Sequence, residues 1–431
     1  MSDNSSPFVA PLSRRTVLSA FGAGLGSLAL SACGGPGASS SESSATSASG
    51  GVTGRVSFYH WRTEDRQALE DLGAAFAKKY PGAQLEQTID PSEQYEATAA
   101  QKAGTGSVGD ALTAFRGPQF TQFAELGTFA DLSSVSYKNN YVAEFITHGA
   151  SGGKQLGFPY QLLFNMPLLN TDIAEKAGLS EPATDWDSYL NGLDRLKAQG
   201  VYAIAWPGND FQILNSLAMN APEDQAFAAI EQGKAKVTDD WFLDLLRKWK
   251  QMSAYFQPNF AGTKLDGALA LYTQGKAAML PTGSFHIIQA RAAGAKFGIE
   301  FAPVITTPKG QAPRNEGIYN VTFILGVNAK AKNPEGAKAW VEFLSQPENA
   351  VKYADTTYQH VTVKDVQYTN PDLKALAPWT ERKLLLAPRF QFASVGVRSA
   401  VENTLLTVAT GTAVEQAAEA AQKLVDEQRP K

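Results

Sequence analysis

The first part of the folded chain constrains the fold more than any other stretch, because strand, helix and strand patterns follow one another there. Residues 55–61 (RVSFYHW) are β-rich, and after Thr63, a predicted helix cap, apolar residues recur at i, i+3, i+7 and i+11 from Leu69. A Pro-Gly pair ends this helix pattern, and residues 84–89 form a second β-rich run. A parallel strand pair needs a long crossover connection, so this order predicts a parallel sheet covered by helices.

The alternation of strand and helix patterns continues to the end of the chain. Further predicted strands cover residues 110–114, 155–160, 162–165, 201–206, 276–280 and 319–327, and further predicted helices cover residues 120–126, 186–200 after a capping box at 184–187, 241–255, a segment ending at Gly275, a segment starting at Asn333-Pro334, and most of the last 35 residues. The 377 residues from position 55 onward exceed what one core usually supports. No Pro/Gly-rich linker divides them, so we expect an α/β fold of two lobes between which the chain crosses more than once.

Two arginines and a short apolar run mark the N-terminus as an export signal. Arg14 and Arg15 precede residues 17–30, which carry no charge. These 14 residues are too few for a membrane-spanning helix, which needs about 20, and they match the apolar region of a signal peptide. The arginine pair is typical of twin-arginine export, but Val17 stands where that pattern prefers phenylalanine, so the general route stays open. We expect residues 1–32 to be removed as a signal peptide.

The single cysteine of the chain follows this apolar run directly. Leu30-Ser31-Ala32-Cys33 is similar to a bacterial lipobox, in which the cysteine is lipidated and becomes the new N-terminus. A lone buried cysteine is the alternative, but its position at the end of the apolar region favours a lipid anchor. Residues 34–54 contain seven serines and six glycines, a composition that predicts a flexible tether between the membrane and a folded body.

Composition excludes several classes of protein. With 44% hydrophobic residues and a net charge of −4, the chain is unlike a disordered protein. The 38 basic and 42 acidic side chains include no basic block, so we expect no nucleic-acid partner. One cysteine cannot form an internal disulfide or a multi-cysteine metal site. Only 19% of residues are charged while 10% are aromatic, which assigns ligand recognition mainly to rings, hydroxyls and amides.

Several short motifs occur in a characteristic order. They are Gly109-Asp110, Gly157-Phe158-Pro159-Tyr160 with Phe164-Asn165-Met166, Ala177-Gly178-Leu179 with Pro182 and Thr184-Asp185-Trp186, residues 275–285 (GKAAMLPTGSF), and residues 333–344 (NPEGAKAWVEFL). Together with the lipobox, their order and spacing resemble the extracellular solute-binding proteins of bacterial ABC sugar importers. The resemblance covers the chain from about residue 55 to the C-terminus, with Gly109 replacing the family's usual proline.

The resemblance implies two α/β lobes, joined by crossing strands, that close on a ligand like a hinged trap. Carried over to this chain, lobe one comprises residues 55–161 and 310–360, and lobe two comprises residues 162–309 and 361–431. The resemblance also implies a carbohydrate ligand, docking on the transmembrane subunits of an ABC permease, and import powered by a separate ATPase. We expect a monomer without cofactor or metal, held at the outer face of the bacterial cytoplasmic membrane by its lipid alone.

A sugar presents apolar C–H faces and a ring of hydroxyls, so its site combines aromatic rings with hydrogen-bonding groups. In the family such groups lie at strand ends and loops that face the cleft between the lobes. The candidates at the corresponding positions of this chain are Trp61, Arg62, Phe115, Arg116, Tyr160, Trp206, Asn209, Asp210, Gly283, Ser284, Phe285, Arg314, Tyr319, Trp379 and Phe390. Phe285 stands where most relatives carry tryptophan, which keeps a stacking surface and removes an indole donor.

Some of these candidates have alternative structural roles. Asp210 can cap the helix after the turn of residues 206–211, Gly283 allows close backbone approach, and Ser284 can cap the helix that follows it. Other aromatic residues lie on the apolar stripes of predicted helices and are expected in the core: Trp186, Trp241, Trp249 and Trp340.

Three other functions stay open from the sequence. A glycosidase needs two positioned carboxylates, but no recognisable catalytic motif surrounds any such pair, and the four histidines lack metal-ligand spacing. The same fold can bind a non-sugar solute, such as a polyamine, or a phosphate ester if the following arginines converge: Arg62, Arg116, Arg314 and Arg389. A structural surface lipoprotein without cargo is the third alternative.

Overall fold

The computed structural model describes residues 51–429, apart from the side chain of Glu93. The predicted signal peptide, Cys33 and the tether up to residue 50 lie outside the described residues. Within residues 51–429, every helix is too short or too polar to cross a membrane.

The first half of the described chain begins with the predicted strand-helix-strand unit. Its elements are β1 (Gly54–His60), α1 (Arg66–Lys79), β2 (Ala83–Ile89), α2 (Ser92–Thr105), β3 (Ala111–Ala114), α3 (Pro118–Glu125), α4 (Ala143–Ile146), β4 (Ala150–Ser151), β5 (Lys154–Gln155), β6 (Gly157–Phe164), β7 (Leu168–Asn170), α5 (Thr171–Lys176), α6 (Trp186–Lys197) and β8 (Tyr202–Ile204). The prediction that Thr63 caps α1 is wrong: Asp65 is the N-cap residue, and its carboxylate pairs with Arg62 instead of capping the helix. The capping box of α6 joins Asp185 and Ser188, one residue later than predicted.

The second half is richer in helices. Its elements are α7 (Ile213–Leu217), α8 (Ala226–Glu231), α9 (Asp240–Met252), α10 (Leu265–Thr273), β9 (Ala277–Leu280), α11 (Ile287–Ala292), β10 (Ile299–Phe301), β11 (Gly317–Val327), α12 (Pro334–Leu344), α13 (Pro347–Thr357), β12 (His360–Val361), α14 (Pro371–Leu376), β13 (Leu384–Leu386), α15 (Val395–Ala409) and α16 (Val414–Gln428). As predicted, Asn333 and Pro334 open α12, and the Asn333 side chain accepts a hydrogen bond from the Gly336 amide at 3.0 Å. Short 3₁₀ turns connect several of these elements.

The larger sheet is mixed. Its strand order is β12-β6-β11-β3-β1-β2, and β13 pairs with β11. β1 lies parallel to both β2 and β3, as the strand-helix-strand order predicts. β11 is antiparallel to β3 and to β6, so the expectation of a parallel sheet holds for only one half. β6 and β11 are far apart in sequence, and no local connection determines their relative direction.

β6 and β11 are buried along their whole length and contribute to two separate cores. In β6, Tyr160 packs in a first core and Phe164 in a different core nearer β9. In β11 the order is reversed, with Ile318 in the core nearer β9 and Ile324 in the first core. Because the two strands are antiparallel, their corresponding halves lie side by side. These strands therefore carry the chain from one core to the other.

Each of the two lobes surrounds one sheet. We call the larger sheet with α1, α2, α3, α12 and α13 the first lobe, and the four-stranded sheet β10-β7-β9-β8 with α5–α11, α15 and α16 the second lobe. Val361 and Val363, just beyond the predicted first-lobe range, also pack in the first core. The residue ranges of the lobes stay a prediction. Three of the four tryptophans predicted in helical cores are buried, and Trp241 is partly buried against the second-lobe core.

Candidate ligand-binding cleft between the lobes

The first lobe carries an aromatic stack at the end of β3. Phe115 and Arg116 follow this strand directly, at the carboxyl edge of the sheet where α/β folds commonly bind ligands. The ring of Phe115 lies 3.8 Å from the ring of Trp61, with the ring planes 26° apart. Trp61 is only 3% exposed, whereas Phe115 is partly exposed. Trp61 therefore supports the ring that Phe115 presents.

Arg116 contacts β11 of its own sheet and the ring of Phe390, which lies between β13 and α15. Its Nε donates to Asn320 Oδ1 at 2.8 Å, and its guanidinium carbon lies 5.3 Å from the centre of the Phe390 ring. Nη2 is buried and has no hydrogen-bond partner among the described residues. Burial lowers the pKa of Arg116 to about 10, so the side chain is still charged at neutral pH. Tyr319, next to Asn320, is 8% exposed, and burial raises the pKa of its phenol.

A chain of amide side chains lines the second-lobe side. Asn165, directly after β6, donates from Nδ2 to Gln212 Oε1 at 3.1 Å, and Asn215 Nδ2 donates to the same oxygen at 3.2 Å. Asn215 Oδ1 accepts the backbone N–H of Arg389 at 3.0 Å, and Arg389 Nε donates to Glu402 at 2.7 Å. Each of these side chains is therefore held in place by a hydrogen bond to the next one in the series. Asn165 Oδ1 is buried and unpartnered among residues 51–429, which leaves an acceptor for a ligand donor.

The turn after β8 contributes Asp210 to the same side. Burial raises the pKa of Asp210 to about 6, while a hydrogen bond from the Gln212 backbone N–H at 2.9 Å opposes the rise. This bond precedes the first residue of α7, so Asp210 organises the turn and does not cap the helix. Trp206 is fully buried, and its indole donates to the Asp210 carbonyl at 2.8 Å. Asn209 is exposed.

The loop of residues 282–286 packs against the end of β6. Ser284 Oγ accepts the Phe164 backbone N–H at 3.1 Å, so the expectation that Ser284 caps the following helix is wrong. A Cβ atom at Gly283 would lie 2.8 Å from the Phe164 carbonyl oxygen, which confirms that glycine permits a close backbone approach. Phe285 is partly exposed with its ring 4.6 Å from that of His286, and burial lowers the pKa of His286 to about 4.

A cavity of about 610 Å³ opens between the lobes beside Arg116. The start of α3 forms its first-lobe wall, and residues 390–393 with Val395 form its second-lobe wall. Its volume lies within the range of roughly 300–1,000 Å³ that is usual for small-ligand sites. On the α3 wall, Gln119 Oε1 accepts the Phe115 N–H at 2.9 Å, while Gln119 Nε2 is buried without a partner among the described residues.

Four other predicted site residues have polar groups occupied by protein partners. Tyr160 is fully buried and donates to the Leu344 carbonyl at 3.0 Å. The others have charged partners: Arg62 pairs with Glu64 and Asp65, Arg314 with Asp224 and the carbonyls of residues 221 and 222, and Trp379 with Glu300 and Arg382. Trp379 lines a different cavity of about 960 Å³ within the second lobe.

The structure thus joins Arg116 to Asn320 and to the ring of Phe390, with Phe115 and Tyr319 next to these residues in the chain. Phe390 and the residues that follow Arg116 line the cavity, and the loop of residues 282–286 packs at the end of β6. Sequence reasoning missed the amides of the cleft, which are Gln212, Asn215, Asn320 and the side chain of Asn165. The available signal was a polar residue inside an apolar run. Asn215 and Asn320 are 0% and 4% exposed, and buried amides require hydrogen-bond partners.

Comparison with known proteins places the chain among binding proteins. The family model described as bacterial extracellular solute-binding protein matches residues 71–378. A protein of Brucella abortus described as a binding protein is 23% identical over 296 residues, which are 66% of this chain and 70% of that one. The multiple sugar-binding protein of Streptococcus mutans is 21% identical over 324 residues, 72% of this chain and 76% of that one.

Solved structures share the two-lobed architecture. The apo form of RafE from Streptococcus pneumoniae superposes with a TM-score of 0.72 at 18% identity, covering 88% of this chain and 99% of RafE. RafE in complex with raffinose gives a TM-score of 0.73, also at 18% identity, over 88% of this chain and 100% of RafE. At this identity the likeness establishes the fold.

Proposed function

This chain belongs to the family of bacterial extracellular solute-binding proteins, and from that premise we propose that it captures a sugar or small oligosaccharide between its lobes for an ABC importer. The observation that carries the proposal is the lining of the cleft. The Arg116 guanidinium lies over the partly exposed ring of Phe390 and follows the partly exposed Phe115 in the chain. Asn165, with an amide oxygen that is unpartnered among the described residues, joins the second-lobe hydrogen-bond series that leads to Arg389. Rings suit the C–H faces of a sugar, and polar groups suit its hydroxyls.

Relatives support the choice of ligand class. The Streptococcus mutans relative is a multiple sugar-binding protein, and RafE binds raffinose. Raffinose is a neutral oligosaccharide, and the cavity of about 610 Å³ is of a size usual for small-ligand sites.

Binding and closure are linked in this proposal. A ligand that contacts Arg116 in the first lobe and Phe390 in the second makes both contacts best when the lobes are closed. Such a ligand stabilises the closed arrangement by the difference between its affinities for the two states. The closed form then docks on the transmembrane subunits of an ABC permease, and a separate ATPase powers import. The chain itself catalyses no reaction in this scheme.

Cys33 anchors the monomer to the outer face of the cytoplasmic membrane in this proposal. A cysteine with two or three acyl chains is held stably, whereas a single chain is held weakly. The variant Cys33→Ala should therefore move from the membrane fraction to the soluble fraction of cells. Retention of that variant in the membrane fraction contradicts the lipid anchor.

The alternative of a phosphate-ester ligand was based on four arginines that converge on one site, and the described structure does not support that arrangement. Arg62, Arg314 and Arg389 all pair with carboxylates of their own surroundings. One guanidinium, that of Arg116, is left for a ligand in the cleft.

Isothermal titration calorimetry with a ligand panel tests the proposal. The panel contains neutral and acidic di- and trisaccharides, spermidine and glycerol 3-phosphate. We expect at least one saccharide to bind with a 1:1 stoichiometry and to reduce the radius of gyration measured by small-angle scattering. Binding of spermidine or glycerol 3-phosphate with no response to any saccharide contradicts the sugar-binding function.

A further inference from the structure

The arginines near the cleft differ in how their charges are balanced. Three of the four candidates form ion pairs: Arg62 with Glu64 at 2.8 Å and Asp65 at 2.9 Å, Arg314 with Asp224 at 3.0 Å, and Arg389 with Glu402 at 2.7 Å. Arg116 forms no ion pair with any carboxylate whose side chain the structure describes. The positive charge of Arg116 is therefore the unbalanced one in the cleft.

The direct contacts of Arg116 are neutral, while charged groups lie farther out. Asn320 contributes an amide oxygen, and Phe390 contributes the face of its ring. His148 is also near: burial, together with the charge of Arg116, lowers the pKa of His148 to about 4, which keeps the imidazole neutral at pH 7.

Two charged groups lie farther out: Arg389, which is paired with Glu402 and lies 5.6 Å from the centre of the same Phe390 ring, and the exposed Glu144 near Tyr319. Two carboxylates that line the neighbouring cavity, Glu96 and Glu125, are exposed to solvent. Arg116 as a whole is partly exposed, but its buried Nη2 end lacks a paired anion among the described residues, and burying part of a cation without one is costly.

Two donors three residues apart are unused within the described part of the chain. Arg116 Nε is occupied by Asn320, but neither terminal nitrogen donates to a described residue, and Nη2 is buried. Gln119, three residues later, has a buried Nε2 without a described partner. A guanidinium with both terminal nitrogens available can bind a carboxylate or phosphate through two parallel hydrogen bonds. This side of the cleft is therefore built to bind acceptors.

From this geometry we propose that the saccharide bound in the cleft carries a negatively charged group, which Arg116 binds end-on with its two terminal nitrogens. The inference rests on the proposed function and narrows its ligand class. A uronic acid residue supplies such a group as a carboxylate, and a sugar phosphate supplies it as a phosphate. Phe390 lies against Arg116 and Phe115 precedes it in the chain, and in this proposal their partly exposed rings pack against the uncharged part of the ligand.

Matched acidic and neutral ligands test this inference. Calorimetry compares trigalacturonic acid with its methyl ester, which has the same rings and no charge, and galactose 6-phosphate with galactose. We expect one of the acidic ligands to bind at least about tenfold more tightly than its neutral counterpart, a gain typical of a charge-assisted pair. The preference should shrink as the salt concentration rises.

Two variants of Arg116 attribute the preference to this side chain. Arg116→Gln should reduce the ratio of the affinities for the acid and its neutral counterpart to less than about threefold, and this ratio, not either affinity alone, is the result that counts. Arg116→Lys keeps the charge but loses the planar pair of terminal nitrogens that can bind an anion through two parallel hydrogen bonds. It should therefore retain a smaller preference for the acidic ligand. Arg247→Gln, which removes an exposed arginine paired with Glu415 on the second lobe, is the control and should keep the wild-type preference. Thermal unfolding of each variant verifies that it is folded.

The possible outcomes separate the inference from the proposed function. Equal affinities for acid and neutral ligand in the wild type, with sugar binding intact, overturn the inference and leave the function standing. A preference that survives in Arg116→Gln also overturns it. Binding of neither acidic nor neutral saccharides overturns the proposed function itself. A preference for the phosphate over the uronate supports the inference and identifies the source of the charge.

Discussion

The two sides of the cleft differ in how the charge and the hydrogen-bond donors of an arginine are satisfied. On the second-lobe side, Arg389 is balanced by Glu402 and joined through Asn215 to a continuous series of hydrogen bonds. On the first-lobe side, Arg116 has one amide partner, a ring face and a free Nη2 among the described residues. The charge on the second-lobe side is balanced within the protein, and only the acceptor Asn165 Oδ1 of that series is left open, whereas the charge of Arg116 on the first-lobe side has no anionic partner in the described part of the chain.

This difference separates the effects expected from mutations. A satisfied network fixes geometry, so its disruption should reduce the stability of the whole protein. A group left unpaired costs stability in the free protein and is compensated in the complex, so its removal should change ligand affinity more than folding. The predictions below test whether stability and affinity divide between the two sides in this manner.

The largest effect is expected from Glu402→Ala on the second-lobe side. This change leaves the Arg389 guanidinium, whose side chain is 16% exposed, without its carboxylate. Breaking a buried ion pair in this way costs about 3 kcal/mol or more of unfolding free energy. Urea unfolding followed by circular dichroism measures the loss.

The control for this prediction is Glu415→Ala, which breaks a pair with Arg247 whose side chains are 58% and 51% exposed. Exposed pairs contribute about 0–1 kcal/mol, so little change is expected there. If Glu402→Ala unfolds at the same urea concentration as Glu415→Ala, the second-lobe network does not hold the protein together as described here.

A smaller effect, on affinity, is expected from Phe115→Ala on the first-lobe side. The partly exposed ring of Phe115 covers Trp61 and contributes a contact surface for the ligand. Loss of such a stacking contact weakens binding by about tenfold, or roughly 1–2 kcal/mol. Calorimetry with the saccharide of the panel that binds most tightly measures this change.

The matched variant Phe285→Ala tests the second-lobe ring in the same way. Unchanged affinity in both variants contradicts an aromatic sugar site.

The smallest effect is a difference in pH dependence between two second-lobe groups. The pKa of Asp210 is raised to about 6, so the native state retains a proton that the unfolded chain has lost, and stability falls as pH rises from about 4 to about 6. The pKa of His286 is lowered to about 4, so its contribution has the opposite sign, and stability falls as pH drops below about 6.5.

Urea unfolding of the wild type, Asp210→Asn and His286→Gln between pH 4 and pH 7 measures both contributions. Relative to Asp210→Asn, the wild type should lose stability as pH rises through this window. Relative to His286→Gln, it should gain stability over the same window. Parallel curves for all three proteins contradict the shifted pKa values of both groups.

Local patterns predicted most elements of the fold because the chemistry that fixes them is local. Asn333-Pro334 opened a helix and residues 319–327 formed most of β11 because a cap, a proline and an apolar run act over a few residues. The direction of β6 relative to β11 depends on pairing between residues 150 or more positions apart, such as Phe164 and Tyr319. No pattern within either strand contains that information.

The site was predicted in part for a similar reason. Phe115, Arg116 and Phe390 follow strands or turns at positions that the family resemblance indicated, and the structure places them together. Tyr160 and Trp206 are also aromatic and were predicted from the same family resemblance, but both are fully buried. Whether an aromatic ring faces the cleft or the core depends on the helices that pack against its strand. The amide of Asn320 was missed because a single polar residue in an apolar strand does not reveal its partner.

A crystal structure of the chain with a bound saccharide tests the central claim most directly. We predict a sugar in the opening between the lobes, stacked on Phe115 or Phe390, with an oxygen of the ligand within hydrogen-bond distance of Arg116 Nη2. A sugar bound instead in the second-lobe cavity lined by Trp379, with the opening beside Arg116 empty, would contradict this account.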